Sequence, residues 1–289
     1  MQVLLISFAG MLCFGITNCL WRPAYRSMER THVLFYRSVL TVLLLSVWLM
    51  GYHVLGNVPP PDIFRTNTFE YGAWILLSFA GLLLVTRSLM LTPAGISGSV
   101  VMALSLFGAL VAHFFRGEPW PGYLLHIVYL YVVGLALIDK SVLRTFVPDR
   151  ATLLALGAAA CWALANIGFK KGIGEVGAYT FAWLQELVVL ILSGAWLLIR
   201  KGIGAPVPEE MDEQRSRAPI VLLAVLTVGG IVCTNLAIER LTLMQFAWIS
   251  MVQPVATVVV SKWVQREEMS IRQLLGAAFL MAGAFLTLV

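Results

Sequence analysis

CWALANIGFK, residues 161–170, reads as a second copy of CFGITNCLWR, residues 13–22. Cys13 falls on Cys161, Asn18 on Asn166, and the base Arg22 on the base Lys170, all at one offset of 148 residues (13 to 161). Past the middle loops the offset becomes 149: Met102 meets Met251, Glu118 meets Glu267, and Gly134 meets Gly283 (118 to 267). Shared leucines mean little in an apolar chain. Shared Asn, Cys, Glu and Gly in one register mark an internal repeat, and its period divides the chain into residues 1–145 and 146–289.

The solvent for this repeat follows from composition. The chain is 60% hydrophobic and 12% charged, with mean hydropathy +0.87. A soluble domain carries roughly 25% charged residues, so this chain belongs in a bilayer. Ten runs approach the ~20 apolar residues a spanning helix needs. They cover 2–20, 32–51, 70–90, 93–115, 121–139, 151–170, 177–199, 218–238, 242–263 and 271–289. Only 52–69 and 200–217 are longer than tight turns, which leaves no room for a soluble domain. The N-terminal run lacks a basic leader and a small-residue cleavage site, so it reads as the first span and not as a signal peptide. The expected fold is an all-α integral membrane protein of ten transmembrane helices, built as two inverted five-helix repeats. Five is odd, so two such units in series enter the bilayer from opposite sides, and a substrate site is expected at mid-depth between them.

Charge and cysteine usage exclude other classes. The net charge of +5 is scattered over short loops with no basic face, so no nucleic-acid partner is expected. Cys13, Cys19, Cys161 and Cys233 form no CxxC and have no histidine at zinc spacing. They read as packing residues, with no metal and no cofactor. GISG (95–98) matches the Gly-x-Ser-Gly of intramembrane serine proteases, but His113 lies about 24 Å along the same helix from Ser97 and cannot reach it. The chain therefore reads as a non-enzyme.

The ordered motifs carry a family resemblance. They are Asn18 with Arg22, Asn166 with Lys170, LFYRSVLTVLLL (34–45), TPAGISGSVVMALS (92–105) and the Gly-Glu of FFRGEPW (114–120). MVQPVATVVV (251–260) and REEMSIRQLLGAAFLMAG (266–283) complete the set. Over its whole length the chain resembles the drug/metabolite transporter superfamily and, within it, the ten-helix EamA-type transporters. That resemblance implies a secondary exporter of amino acids, metabolites or drugs, without a cofactor, in a bacterial inner membrane. The chain departs from the family pattern at Ser105, where a proline is common, and at Gln253, where an acid often precedes the proline that is Pro254 here.

Polar residues inside the spans are the site candidates. Glu186, in WLQELVVLIL (183–192), sits about ten residues into its helix. A charge at that depth costs at least ~2.5 kcal/mol, and a short carboxylate cannot reach the surface. It is expected to face the bundle interior and either pair with Arg37 or carry a proton, which makes it the proton-coupling candidate. The fork of Arg37 suits a substrate carboxylate or Glu186 equally. Arg87, nearer its helix end, reads as a snorkelling side chain or a substrate contact. Asn18, Asn166, Gln185 and Gln253 either bond between helices or line a pocket. Pro254 frees a carbonyl one turn earlier, where irregular backbone suits a cavity wall.

Aromatic and small residues divide similarly. Trp162, Trp183 and Trp248 fall inside spans, as packing or as a wall for an apolar or cationic ligand. Trp21, Trp120, Trp196 and Trp263 fall at span ends and read as interface anchors. Glu118 and Glu267 read as turn or cap residues. Gly276, Ala278, Ala282 and Gly283 invite close packing of the last helix, within the chain or in a homodimer. Basic residues crowd the loops opposite the N-terminus, which by the positive-inside preference places both termini outside, whereas the resemblance implies termini inside. The function expected is secondary transport of a small amphiphilic or zwitterionic molecule such as an amino acid. Efflux of hydrophobic cations is the rival reading, and a non-transporting membrane component the third.

Overall fold

The structure, a computed structural model, describes residues 2–56, 68–101, 103–119, 122–145, 147–203, 213–250, 252–266 and 268–286. Among them there are helices and turns but no strand. In the first half these are α1 (Gln2–Ser27), α2 (Arg30–Leu55), α3 (Thr68–Leu91), α4 (Ala94–Val101), α5 (Ala103–Arg116), α6 (Leu124–Ile138) and the short α7 (Lys140–Thr145). In the second they are α8 (Arg150–Val176), α9 (Ala178–Gly202), α10 (Glu213–Arg240), α11 (Leu243–Ile249), α12 (Val252–Val264) and α13 (Ile271–Leu286). Eight stretches are long and apolar enough to cross a bilayer, α4 with α5 and α11 with α12 each counting as one. The shorter apolar α6 and α13 complete the ten read from hydropathy. The chain is a multi-pass integral membrane protein.

Two helices run past the ends expected from hydropathy. α1 continues through Arg22 and Pro23 to Ser27, not stopping near residue 20, and α8 continues past Lys170 to Val176. The reason is that the two bases are not loop residues. Arg22 Nη2 donates to the carbonyl of Thr92, just beyond α3, at 3.2 Å. Lys170 Nζ donates to Ile238 O at 3.1 Å and to Leu241 O, at the end of α10. The last carbonyls of a helix lack internal partners and form the negative end of its dipole, so a cation placed there is stabilising. Thr92 and Leu241 stand 149 residues apart, so the repeat extends to individual hydrogen bonds.

The packing follows the same exchange. α1 lies along α10 and α3 along α8, while α2 packs on α9, α6 on α13, and α4 on α12. Swapping the halves interchanges the first two pairings, returns α2 on α9 and α6 on α13 to themselves, and carries α4 on α12 to the packing of α5 on α11. The long helices of each half therefore find their main partners in the other half. The seam between α2 and α9 has two unlike ends. At one, Glu29 accepts from Arg200 Nη1, from Thr31 Oγ1 at 3.1 Å and from His32 Nδ1 at 2.8 Å. At the other, Tyr52 and Tyr179 meet with ring centroids 4.7 Å apart. The link between the halves is also pinned. Asp139 accepts from the backbone N–H of Ser141 and of Asp149, each at 2.8 Å, and Asp149 in turn caps α8 through Thr152 N.

Pro254 behaves as its chemistry requires. The carbonyl it frees, that of Ser250, is taken up by the N–H of Gln253 at 3.3 Å, which leaves a tightened turn between α11 and α12. The small residues of α13 split by face. Gly276 and Gly283 press on α6, while Ala278 and Ala282 are exposed. The glycines are thus used within the chain. A Cβ on Gly276 would sit 2.8 Å from Gly134 O and 2.8 Å from Ile138 Cγ1. Backbone cannot yield as a side-chain tip can, so Gly276→Leu should destabilise the protein by about 1–3 kcal/mol. The expected readout is a lower thermal midpoint in detergent, with Ala278→Leu, on the exposed face, leaving the midpoint unchanged.

Candidate functional site

A hollow of about 170 Å³ lies between the halves, walled by side chains of α1, α2, α3, α8, α9, α10 and α12. At roughly 10–15 Å³ per water on this measure, it has room for about a dozen waters or a small metabolite. Its one charged feature is an ion pair. Arg37 stands two turns into α2 and Glu186 in the third turn of α9, and the packing of those helices brings the two together. Arg37 Nη1 donates to Glu186 Oε1 at 3.3 Å, and Nη2 lies 2.9 Å from Oε2. Nη2 also donates to Ser38 Oγ at 3.1 Å, and the guanidinium carbon lies 5.8 Å from the Trp21 ring centre. The side chains are only 2% and 5% exposed, so each charge relies on the other and not on water. Arg37 Nε has no acceptor among the described residues.

Four carboxamides stand around the pair. Asn18 Nδ2 donates to Thr257 Oγ1 at 3.2 Å, which ties α1 to α12 beside the hollow that Asn18 lines. Gln185 Oε1 accepts from Asn235 Nδ2 at 2.8 Å, which ties α9 to α10. The side-chain amides of Asn166 and Gln253 line the hollow with no hydrogen-bond partner among the described residues. The remaining wall is largely apolar, with Trp162 fixed by its Nε1 bond to Ser78 O at 3.1 Å.

Six of the candidate residues thus meet at one place: Glu186, Arg37, Asn18, Asn166, Gln185 and Gln253. Three do not join them. Trp183 turns away and donates from Nε1 to Ser46 Oγ at 2.9 Å, pinning α9 to α2. Arg87 is exposed on α3 and does not line the hollow, as its nearness to the helix end permits. The side chain of Trp248 lies outside the described residues, as do Trp120, Glu267, Met102 and Met251.

Trp21 requires a correction. It is 2% exposed and lines the hollow beside Arg37, whereas Trp196 and Trp263 are exposed as anchors would be. The span-end reading failed because α1 runs six residues beyond Trp21. Asn235, Thr227 and Thr234 also line the hollow and went unread. Asn235 carried the same signal as Asn166, an amide inside an apolar span. Glu118 does act as a cap, but across the halves: its Oε2 accepts from Met244 N in the first turn of α11 at 3.2 Å. Ser97 pairs with Ser88 Oγ at 2.9 Å, and His113 Nδ1 lies 2.7 Å from Glu118 O, so neither faces the other.

Two comparisons with known proteins bear on the family and the fold. Residues 149–289, the second repeat, match the EamA-like transporter family. That match indicates a membrane transporter of the drug/metabolite transporter type, with a small molecule as its substrate. No curated protein matches the chain by sequence. Its fold is matched by a protein of known crystal structure at 16% identity, over 99% of this chain and 97% of that one, with a TM-score of 0.70.

Removing one partner of a buried ion pair strands the other charge, which costs about 3–5 kcal/mol, while removing both is often neutral. Arg37→Met and Glu186→Leu should therefore each lower the thermal midpoint of the protein sharply. The double variant should recover most of the loss, and a double-mutant cycle measured in detergent checks the coupling.

Proposed function

We propose that the chain is a secondary exporter of small amphiphilic, zwitterionic metabolites, with amino acids as the leading class. It works by alternating access between two inverted halves, residues 1–145 and 146–289, in a bacterial inner membrane. The observation that carries this reading is the hollow itself. It lies between the halves, is lined from both, and holds one charge of each sign among neutral amides. A zwitterion presents the complementary set. Its carboxylate matches the fork of Arg37, its ammonium matches Glu186, and its side chain matches the apolar wall. Proton coupling belongs to the same reading, since a Glu186 released from Arg37 by cargo is positioned to exchange a proton with one aqueous side.

The two ends of the α2–α9 seam supply the gates. Under the 148-residue offset Tyr52 corresponds to Arg200 and Thr31 to Tyr179, so the ionic and aromatic contacts occupy matching places at opposite ends. Rocking of the halves opens one while the other holds.

Flux in proteoliposomes tests the function. Saturable counterflow of amino acids is expected, with Asn166→Ala and Gln253→Ala each weakening the apparent affinity by about ten-fold, the value of one lost hydrogen bond to a charged group. Folded protein that carries neither amino acids nor hydrophobic cations would instead point to the non-transporting component. Proton coupling fails if Glu186→Gln keeps full pH-gradient-driven flux.

The ionic gate has its own signature. Burial pushes the Glu29 carboxyl up, but the hydrogen bonds from His32 and Thr31 and the charge of Arg200 outweigh it and hold Glu29 below the usual carboxylate range. A lowered value means the contact is at full strength above the ordinary glutamate range and is lost as pH falls through the lowered value. Hydrogen exchange at the first turn of α2 and the last of α9 should then show no pH-dependent opening between about pH 5 and 8, once intrinsic rates are removed. Arg200→Ala should raise exchange at that end and leave the Tyr52–Tyr179 end unchanged.

A further inference from the structure

We infer that Arg37 and Glu186 act as a charge filter that sets the net charge of the cargo at zero. The inference rests on the transport reading above and deepens it. Among the described residues lining the hollow, these two are the only ones that carry full charge, and they cancel at contact distance with both side chains withdrawn from water. The other polar groups facing the space are neutral carboxamides and hydroxyls. The site is therefore electrically balanced before anything enters it.

A balanced site whose two charges are buried treats three cargo classes differently. A cation entering it can be drawn to Glu186, but only by displacing Arg37, whose charge then has no partner. An anion has the mirror problem with Glu186. Either way one buried charge is left over, the costliest arrangement available to a low-dielectric site. A zwitterion avoids this. Its carboxylate approaches the guanidinium, where Nε is still without an acceptor, and its ammonium approaches Glu186, so four charges alternate in sign and sum to zero. An uncharged molecule also fits, because the pair can stay closed while Asn166 and Gln253 supply hydrogen bonds. Aromatic rings in the wall do not by themselves make this a site for hydrophobic cations. Trp21 already faces the Arg37 cation.

The filter also has a sign that can be changed. Glu186→Gln keeps the shape and leaves Arg37 alone, giving a positive hollow. Arg37→Gln leaves Glu186 alone, giving a negative one. The double Gln variant is balanced again but lacks both anchors.

Three probes of similar size test the filter: leucine as zwitterion, leucinamide as cation and 4-methylpentanoate as anion. Uptake into proteoliposomes and thermal shift of the folded protein are both measured, at about pH 6.5, where the three hold those charges. The wild-type chain should prefer leucine by at least about ten-fold over both ions, the value of one charge-assisted bond. Glu186→Gln should shift preference toward the acid by about the same factor, Arg37→Gln toward leucinamide, and the double variant should favour neither ion. Wild-type protein that takes leucinamide or the acid as well as leucine overturns the filter, as do single variants that keep the wild-type order. If a variant does not fold, the wild-type series alone decides. Binding by thermal shift without flux would count against the transport reading while still testing the filter, so the two failures are distinguishable.

Discussion

A full charge in the middle of a bilayer must be answered by another part of the same chain, and here Arg37 and Glu186 answer each other. Neither side chain has water to turn to at 2% and 5% exposure. Their contact therefore ties α2 to α9. The other helices arrange themselves around that seam. α1 and α8 lie on either side of it, each held along the third helix of the opposite half. The pair is at once a structural tie and the chemical centre of the hollow. In lipid these roles are hard to separate, because a polar group with any function at depth must also be kept satisfied when idle.

The same economy governs the rest of the polar inventory. Arg22 and Lys170 are used on the carbonyl ends of α3 and α10, and Glu118 on the amide end of α11. Asn18 and Gln185 each bond to a neighbouring helix and also line the hollow. Asn166 and Gln253 line it without a side-chain hydrogen-bond partner among the described residues. The helix backbones approach closely where side chains are absent, as at Gly134 and Gly276 between α6 and α13, so dispersion contacts replace a hydrophobic drive that lipid does not provide.

Symmetry of the scaffold does not extend to its ends. Position 29 is a glutamate and its counterpart 177 is a glycine with φ of 81°, the single residue joining α8 to α9. One end of the α2–α9 seam consequently closes on charge and the other on a tilted pair of phenol rings. Matching places of the repeat thus carry different chemistry.

Much of this was legible in the chain alone. Membrane class, ten spans and the repeat follow from composition, run length and register, which depend only on transfer of local segments into lipid. That Glu186 must lie inside the bundle follows from the same solvation cost, whereas the longer Arg37 side chain was free to snorkel. Tertiary structure alone decided which face of each helix meets which neighbour. It turned Trp21, read as an interface anchor, inward beside Arg37, sent Trp183 to Ser46 and left Arg87 on the outside. Hydropathy is nearly uniform around these helices, so no polar stripe marks the inner face. The orientation comes from partners far away in sequence, such as Thr257 for Asn18 and Glu186 for Arg37, and it exists only once the halves have met.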